Sequence, residues 1–375
     1  MDDVTVQTSP RPEPEPLLNM DQYGTALMII AILTTVPSLF GLASNILNIC
    51  VFSRMRLSHT VTISCFALSI SDLGTVVALL MLNVNVVFIV LDLKTGIHID
   101  VDPQTILMLT GDVMEVFLII STLFTCQLAI TRSMCVLLPL RFKEYFTPRK
   151  TIVILCLLTV PCFTHLAIYT QVEIIGIKIA DNSTRAVLTF RNTYKLATLI
   201  FDVLRGPVII LGSEIIVTTC ISFMIYSLRR NMTFWMKTKQ AGHVNAPHTD
   251  IKHDSNAVGG SGLAGTLPKN TSGRKKSSMN ATVAVREMQV IAQVTLIATI
   301  FVIFKLPIVA LLILRYVDRN FILNGLYRKT LVVMSGVRVV FEALSASVNI
   351  FVYYRYNTKY RITLRQFLRL KAAEA

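Results

Sequence analysis

The chain has 375 residues, of which 53% are hydrophobic and only 15% charged, against roughly 25% charge in an ordinary soluble domain. With a mean hydropathy of +0.61, that composition excludes both a soluble globular domain and a disordered chain. The formal net charge of +14 sits in the connections between apolar runs, without the interleaved aromatics of a nucleic-acid surface, so nucleic acid is excluded as a partner.

Residues 1–25 form an expected extracellular tail with Asp2, Asp3, Glu13, Glu15 and the proline-alternating piece Pro10 to Pro16. It has no basic n-region with a cleavage site, so the first apolar run is expected to act as the insertion signal. Seven apolar stretches follow over residues 26–354: Ala26 to Phe52, Val61 to Val90, Ile106 to Leu137, Thr151 to Ile168, Pro207 to Leu228, Met288 to Leu314 and Leu331 to Tyr354. Each can cross about 30 Å of hydrocarbon at about 1.5 Å per residue. The expected fold is therefore all-α, a seven-transmembrane-helix bundle.

Between the fifth and sixth stretches, residues 229–286 turn polar, basic and glycine-rich, which predicts a disordered cytoplasmic loop with helical shoulders. Near its end the basic run Arg274-Lys275-Lys276 precedes Ser277 and Ser278, a candidate phosphorylation site that also reads as a plain membrane-hugging charge run. In residues 355–375, Ile362, Leu364, Phe367 and Leu368 alternate with Lys359, Arg361, Arg365 and Arg369. That pattern predicts a short amphipathic helix on an anionic inner leaflet.

Orientation follows from counting. With the amino terminus outside, the cytoplasmic segments carry about 22 Lys and Arg against about 11 on the other side. Asn182, in the second outer connection, is then a candidate glycosylation site, whereas the sequons at Asn231, Asn270 and Asn280 face the cytoplasm and stay silent. The seven cysteines, Cys50, Cys65, Cys126, Cys135, Cys156, Cys162 and Cys220, all lie in or at the ends of apolar runs and read as small, buried, reduced residues. No nucleophile with a base, no metal-ligand spacing and no phosphate loop is visible, so the chain is not read as an enzyme.

The charges inside the apolar runs are the candidate functional residues, because ionisable groups in a membrane normally face an interior cavity. Arg132 ends the third run, and Glu287 at the start of the sixth is a candidate partner for a breakable clamp; a static arginine at lipid phosphate is the plainer reading. Asp72 lies mid-membrane and must be neutralised, hydrated or ion-bound. Glu115, Glu214, Lys305 and Glu342 fall about 17 to 27 Å above the inner anchors of their helices. They would suit a ligand carrying both charges, such as an amino acid or short peptide, although Lys305 and Glu342 could equally neutralise one another.

Motifs at the helix ends run in a fixed order. They are Gly41-Leu42-Ala43-Ser44-Asn45, then Leu68-Ser69-Ile70-Ser71-Asp72, then Ile130-Thr131-Arg132-Ser133 with Pro139-Leu140, then Phe301 with Pro307, then Asn349-Ile350-Phe351-Val352-Tyr353. In this order the chain resembles the rhodopsin-like G-protein-coupled receptors over nearly its whole length, as a divergent member similar to invertebrate chemosensory or peptide-type orphan receptors. The resemblance implies an extracellular ligand, a heterotrimeric G protein as partner, a plasma-membrane location and outward movement of the sixth helix on activation. It implies that Arg132, Glu287, Pro139, Leu140, Tyr226 and Tyr353 serve coupling, and that Ser121, Ser345 and Asn349 surround an allosteric sodium ion with Asp72. No other cofactor is implied, and a hydrogen-bonded network without an ion is the alternative.

The chain departs from the family at several places. Thr131 and Ser133 replace the acid and aromatic beside the arginine, the seventh-helix motif lacks its proline, and Lys305 stands where most relatives have tryptophan. Met114 and Ala343 stand where amine receptors and opsins carry their ligand-binding aspartate and lysine, and Leu107 stands where the usual disulfide begins. A small-solute transporter or channel, or a non-coupling membrane receptor, is the alternative.

Overall fold

The computed structural model describes residues 17–57, 59–95, 103–137, 139–169, 173–180, 183–189, 204–244, 272–318, 320–321 and 325–368. Its long helices are α1 (Met20–Arg54), α2 (Thr60–Thr95), α3 (Pro103–Leu137), α5 (Pro148–Tyr169), α6 (Gly212–Val244), α7 (Ser272–Val317) and α8 (Arg328–Tyr356). Two short ones, α4 (Pro139–Tyr145) and α9 (Thr358–Phe367), follow α3 and α8, and a π-helical stretch, Leu204–Leu211, leads into α6.

The polarity of these helices is inverted relative to a soluble bundle. The buried face of α1 includes Thr34, Ser38, Ser44, Asn45 and Asn48, while Ile29, Ile32, Leu33, Val36, Leu39 and Phe40 are exposed. In water that arrangement would leave the apolar face unpaid; in hydrocarbon the apolar face is solvated and the small polar side chains find partners between helices. Among the described residues, six helical segments are long and apolar enough to cross a membrane: Met20–Arg54, Thr60–Asp92, Leu109–Leu137, Val208–Ser227, Gln289–Val317 and Arg328–Tyr356. The chain is thus a helical protein of multi-pass membrane type. The expected fourth span forms a helix, α5, of 22 residues with Pro161 inside, but is not one of those six.

Local sequence explains the ends. Asn19 and Gln22 form a reciprocal capping box at the start of α1, with Asp21 in its first turn and Arg54 in its last. The helix starts at Met20, before the apolar run that begins at Ala26. The Asn357 side chain caps α9 by accepting from the Tyr360 amide at 3.0 Å.

In the second outer connection, β1 (Glu173–Ala180) and β2 (Ser183–Thr189) pair antiparallel from Glu173↔Thr189 to Ala180↔Ser183. Among the described residues this hairpin is the one departure from an all-helical fold, built where β-branched residues such as Ile174, Ile177 and Ile179 gather. The loop at 229–286 has the expected helical shoulders, since α6 continues to Val244 and α7 begins at Ser272. Residues 245–271 and Asn182 lie outside those described, as do the side chains of Ser277 and Ser278.

All seven cysteines are free, as the sequence suggests, but Cys156 is exposed on α5, and Cys50 and Cys135 are only half-buried. An exposed thiol in an apolar helix is a small hydrophobe facing lipid, so burial was the wrong inference for it.

The helices close on one another where side chains are absent. A Cβ on Gly41 would lie 2.5 Å from Ser347 Oγ and 2.9 Å from Val76 Cγ1, so α1, α2 and α8 meet at that glycine. The core is one large apolar cluster that includes Phe52, Leu68, Leu128, Met224, Phe301 and Tyr353, with smaller ones around Leu79, Met114, Leu118, Val339 and Ala343 and around Leu27, Ala31, Val86 and Val90.

Candidate functional site

The polar interior forms three layers. Farthest from α9 are two ion pairs. Lys305 on α7 donates to both carboxylate oxygens of Glu342 on α8, at 2.8 and 2.9 Å, with the side chains 9% and 2% exposed. The Lys305 ammonium also stands 5.6 Å from the centre of the Phe301 ring. Arg338 on α8 donates from one Nη to Glu115 on α3 at 2.5 Å, with the side chains 11% and 15% exposed. Of the two expectations for Lys305 and Glu342, mutual neutralisation is what the structure contains.

Arg338 is the residue that sequence reasoning missed. Its signal was present: it is four residues before Glu342, hence on the same face of α8, and it lies inside an apolar run. Glu214 at the start of α6 lies within electrostatic range of both Lys305 and Glu342, and its Oε1 is buried without a hydrogen-bond partner. It belongs to the same cluster but touches neither member at hydrogen-bond distance.

The middle layer is Asp72. Ser121 donates to one of its oxygens at 2.7 Å and Asn349 donates its amide NH₂ to the other at 2.8 Å. Three of the four expected sodium ligands therefore converge, while Ser345 is half-buried and makes no hydrogen bond to this carboxylate. Asp72 and Ser121 present hard oxygens that suit sodium, but Asn349 presents a donor, so an ion there requires the amide to turn its oxygen inward. Among the described residues no group of three or more His, Cys, Asp or Glu side chains could hold a metal.

The charges of the two layers interact, since Asp72 feels Lys305 and Glu342, and Arg338 feels Glu342.

The third layer, next to α9, is built from amides, hydroxyls and rings. Asn45 donates to the Ala346 carbonyl at 2.8 Å, and Asn48 to Asn45 Oδ1 at 3.4 Å. The hydroxyl of Tyr360, on α9, donates to Asn48 Oδ1 at 2.5 Å. Burial pushes that hydroxyl's pKa above its ordinary value, so it stays a donor. Tyr353 is fully buried against Phe52 and Tyr360, with ring centroids 5.0 and 5.7 Å away. Its hydroxyl stands beside Ser69 and Cys65 but meets neither at hydrogen-bond geometry. Gln127 accepts from Ser64 at 3.0 Å and donates to Thr131 at 3.0 Å, tying α2 to α3 one turn before Arg132.

The expected coupling residues are spread unevenly. Arg132 is half-buried at the end of α3 and its charge reaches Cys65 of α2. Tyr226 is 66% exposed on α6, whereas Tyr353 is fully buried. Glu287 lies on α7, and Pro139 and Leu140 open α4, but their side chains fall outside those described. No protein-family model matches the chain, and no curated protein matches it.

Proposed function

We propose that the chain is a seven-helix G-protein-coupled receptor of the rhodopsin-like type, with α5 as the fourth span, the amino terminus outside and the plasma membrane as its location. It binds a polar or charged small molecule or short peptide from outside and promotes nucleotide exchange on a heterotrimeric G protein as the inner end of α7 moves outward. The observation that carries this reading is the path of polar side chains between the helices. It runs from the ion pairs of Lys305 and Arg338, past Asp72, to Tyr353 and Arg132 at the opposite end.

Such a path links a ligand-accessible end to an effector end, because each layer joins different helices. Lys305–Glu342 ties α7 to α8, Glu115–Arg338 ties α3 to α8, and Asp72 ties α2 to both α3 and α8. A ligand that binds one arrangement of these pairs better than another shifts the population of the whole set. Arg132, with Glu287 as its partner in the resting state, is the element whose release admits the G protein. Asp72 with Ser121 and Asn349 holds sodium in that resting state.

A buried chain of ionisable groups also suits a small-solute pathway, and this is the competing reading. The test is basal activation across a panel of heterotrimeric G proteins at matched surface expression. Glu287→Ala is expected to raise ligand-free activation several-fold and Arg132→Ala to lower it. Silence from the native chain and both variants, with solute flux into vesicles, would replace the receptor reading by the transporter one.

A further inference from the structure

The two ends of the α7 span are held very unequally. Towards its outer end Lys305 ties it to Glu342 of α8 by two bonds of 2.8 and 2.9 Å. Gln293 stands about 18 Å nearer the start of the helix, at about 1.5 Å per residue. It is 1% exposed and lies inside the span Gln289–Val317. Among the described residues its Nε2 reaches only the Cys65 thiol of α2, at 4.0 Å, and its Oε1 is buried without a hydrogen-bond partner. Two residues on, Thr295 reaches α6 at the Met224 sulfur, 3.6 Å away, while its hydroxyl donates to the Ile291 carbonyl of its own helix at 2.9 Å. Sulfur is a weak acceptor, so neither contact binds this end of α7 firmly to its neighbours.

A glutamine between membrane helices is normally a tie, because its amide can donate and accept across the interface. Gln293 does neither well, and Val294 and Ile297 beside it belong to the large apolar cluster. Turning the amide over would set its oxygen against the thiol and leave the NH₂ unmatched instead. A buried amide group without its partner disfavours the packed arrangement that buries it. Any arrangement in which this end of α7 stands away from α2 and meets water removes that penalty.

We infer that Gln293 biases the bundle towards its open arrangement and thereby sets the level of ligand-free signalling. This rests on the proposed outward movement of the inner end of α7. Because Lys305 fixes the other end of the span to α8, the penalty at Gln293 is released by a swing of the inner end and not by departure of the whole helix. Arg132 and Glu287, as the resting clamp, act against it, and the balance between clamp and glutamine fixes the resting population.

The experiment compares the native chain with Gln293→Met and Thr295→Val, all full length in lipid nanodiscs. Methionine keeps the unbranched length of glutamine and removes its amide. Two readouts need no G protein: Tm, and the longer-distance fraction between spin labels at the inner ends of α3 and α7. The third is ligand-free nucleotide exchange across the heterotrimer panel. Gln293→Met is expected to raise Tm, to reduce the longer-distance fraction and to lower ligand-free exchange by about fivefold or more. Thr295→Val controls for added apolarity: its hydroxyl is already satisfied within α7, so all three readouts should stay close to native. A Tm for Gln293→Met at or below the native value, a longer-distance fraction that is absent or unchanged, exchange that is present but unaltered, or equal changes in Thr295→Val would each overturn the proposal. The expected Tm and distance changes with no exchange from any of the three proteins would overturn only the receptor reading.

Discussion

Lys305 carries the clearest single-residue consequence, because among the described residues Glu342 has no other cation at contact distance. Lys305→Met leaves Glu342 buried and unmatched, and is expected to cost about 3 to 5 kcal/mol of stability. Lys305→Met with Glu342→Leu should recover most of that loss, a non-additivity that melting of the four proteins in nanodiscs would measure. At the other end, Tyr360→Phe keeps the ring stack on Phe52 and Tyr353 but deprives Asn48 of its donor. Its expected cost is about 1 to 3 kcal/mol, read as a lower Tm. These two contacts differ in how legible they were. Opposite charges in the sixth and seventh apolar runs suggest a pair at once, whereas the Tyr360 bond joins residues 312 positions apart and nothing local marks it. Arg338 was equally legible, since it lies inside an apolar run four residues before Glu342 and so on the same helix face.

The helices themselves were legible, since a run of about 20 apolar residues has few alternatives to a spanning helix. α3 ends at Leu137 where its apolar run ends, and α9 begins where the amphipathic pattern begins. What the pattern did not reveal was the hairpin of β1 and β2, whose polar and apolar residues alternate too irregularly, with a register shift between Ile174 and Ile177. Nor did it mark which glycines pack helices together. Gly41→Ala is expected to push Ser347 off the Pro37 carbonyl that it reaches at 2.7 Å, and to lower stability by about 1 to 3 kcal/mol. The same substitution at Gly24, where a Cβ would meet nothing within 4 Å, should have little effect on Tm. Comparing the two melting temperatures separates close packing from helix propensity.

At the scale of the molecule, the proposed orientation, with the amino terminus outside, rests on the asymmetry of Lys and Arg. Asn182→Gln should then abolish an endoglycosidase-sensitive mass shift, and Asn270→Gln should leave it unchanged. Reversed results would turn the protein over in the membrane. The central claim is that α7 swings away from α3 to admit a G protein. Its most direct test is the distance between spin labels placed at the α3 and α7 ends that carry Arg132 and Glu287, in nanodiscs with and without a nucleotide-free heterotrimer. The account predicts a longer-distance population when the heterotrimer is added and its collapse when GTP is restored. A single distance unchanged by any heterotrimer of the panel would contradict it.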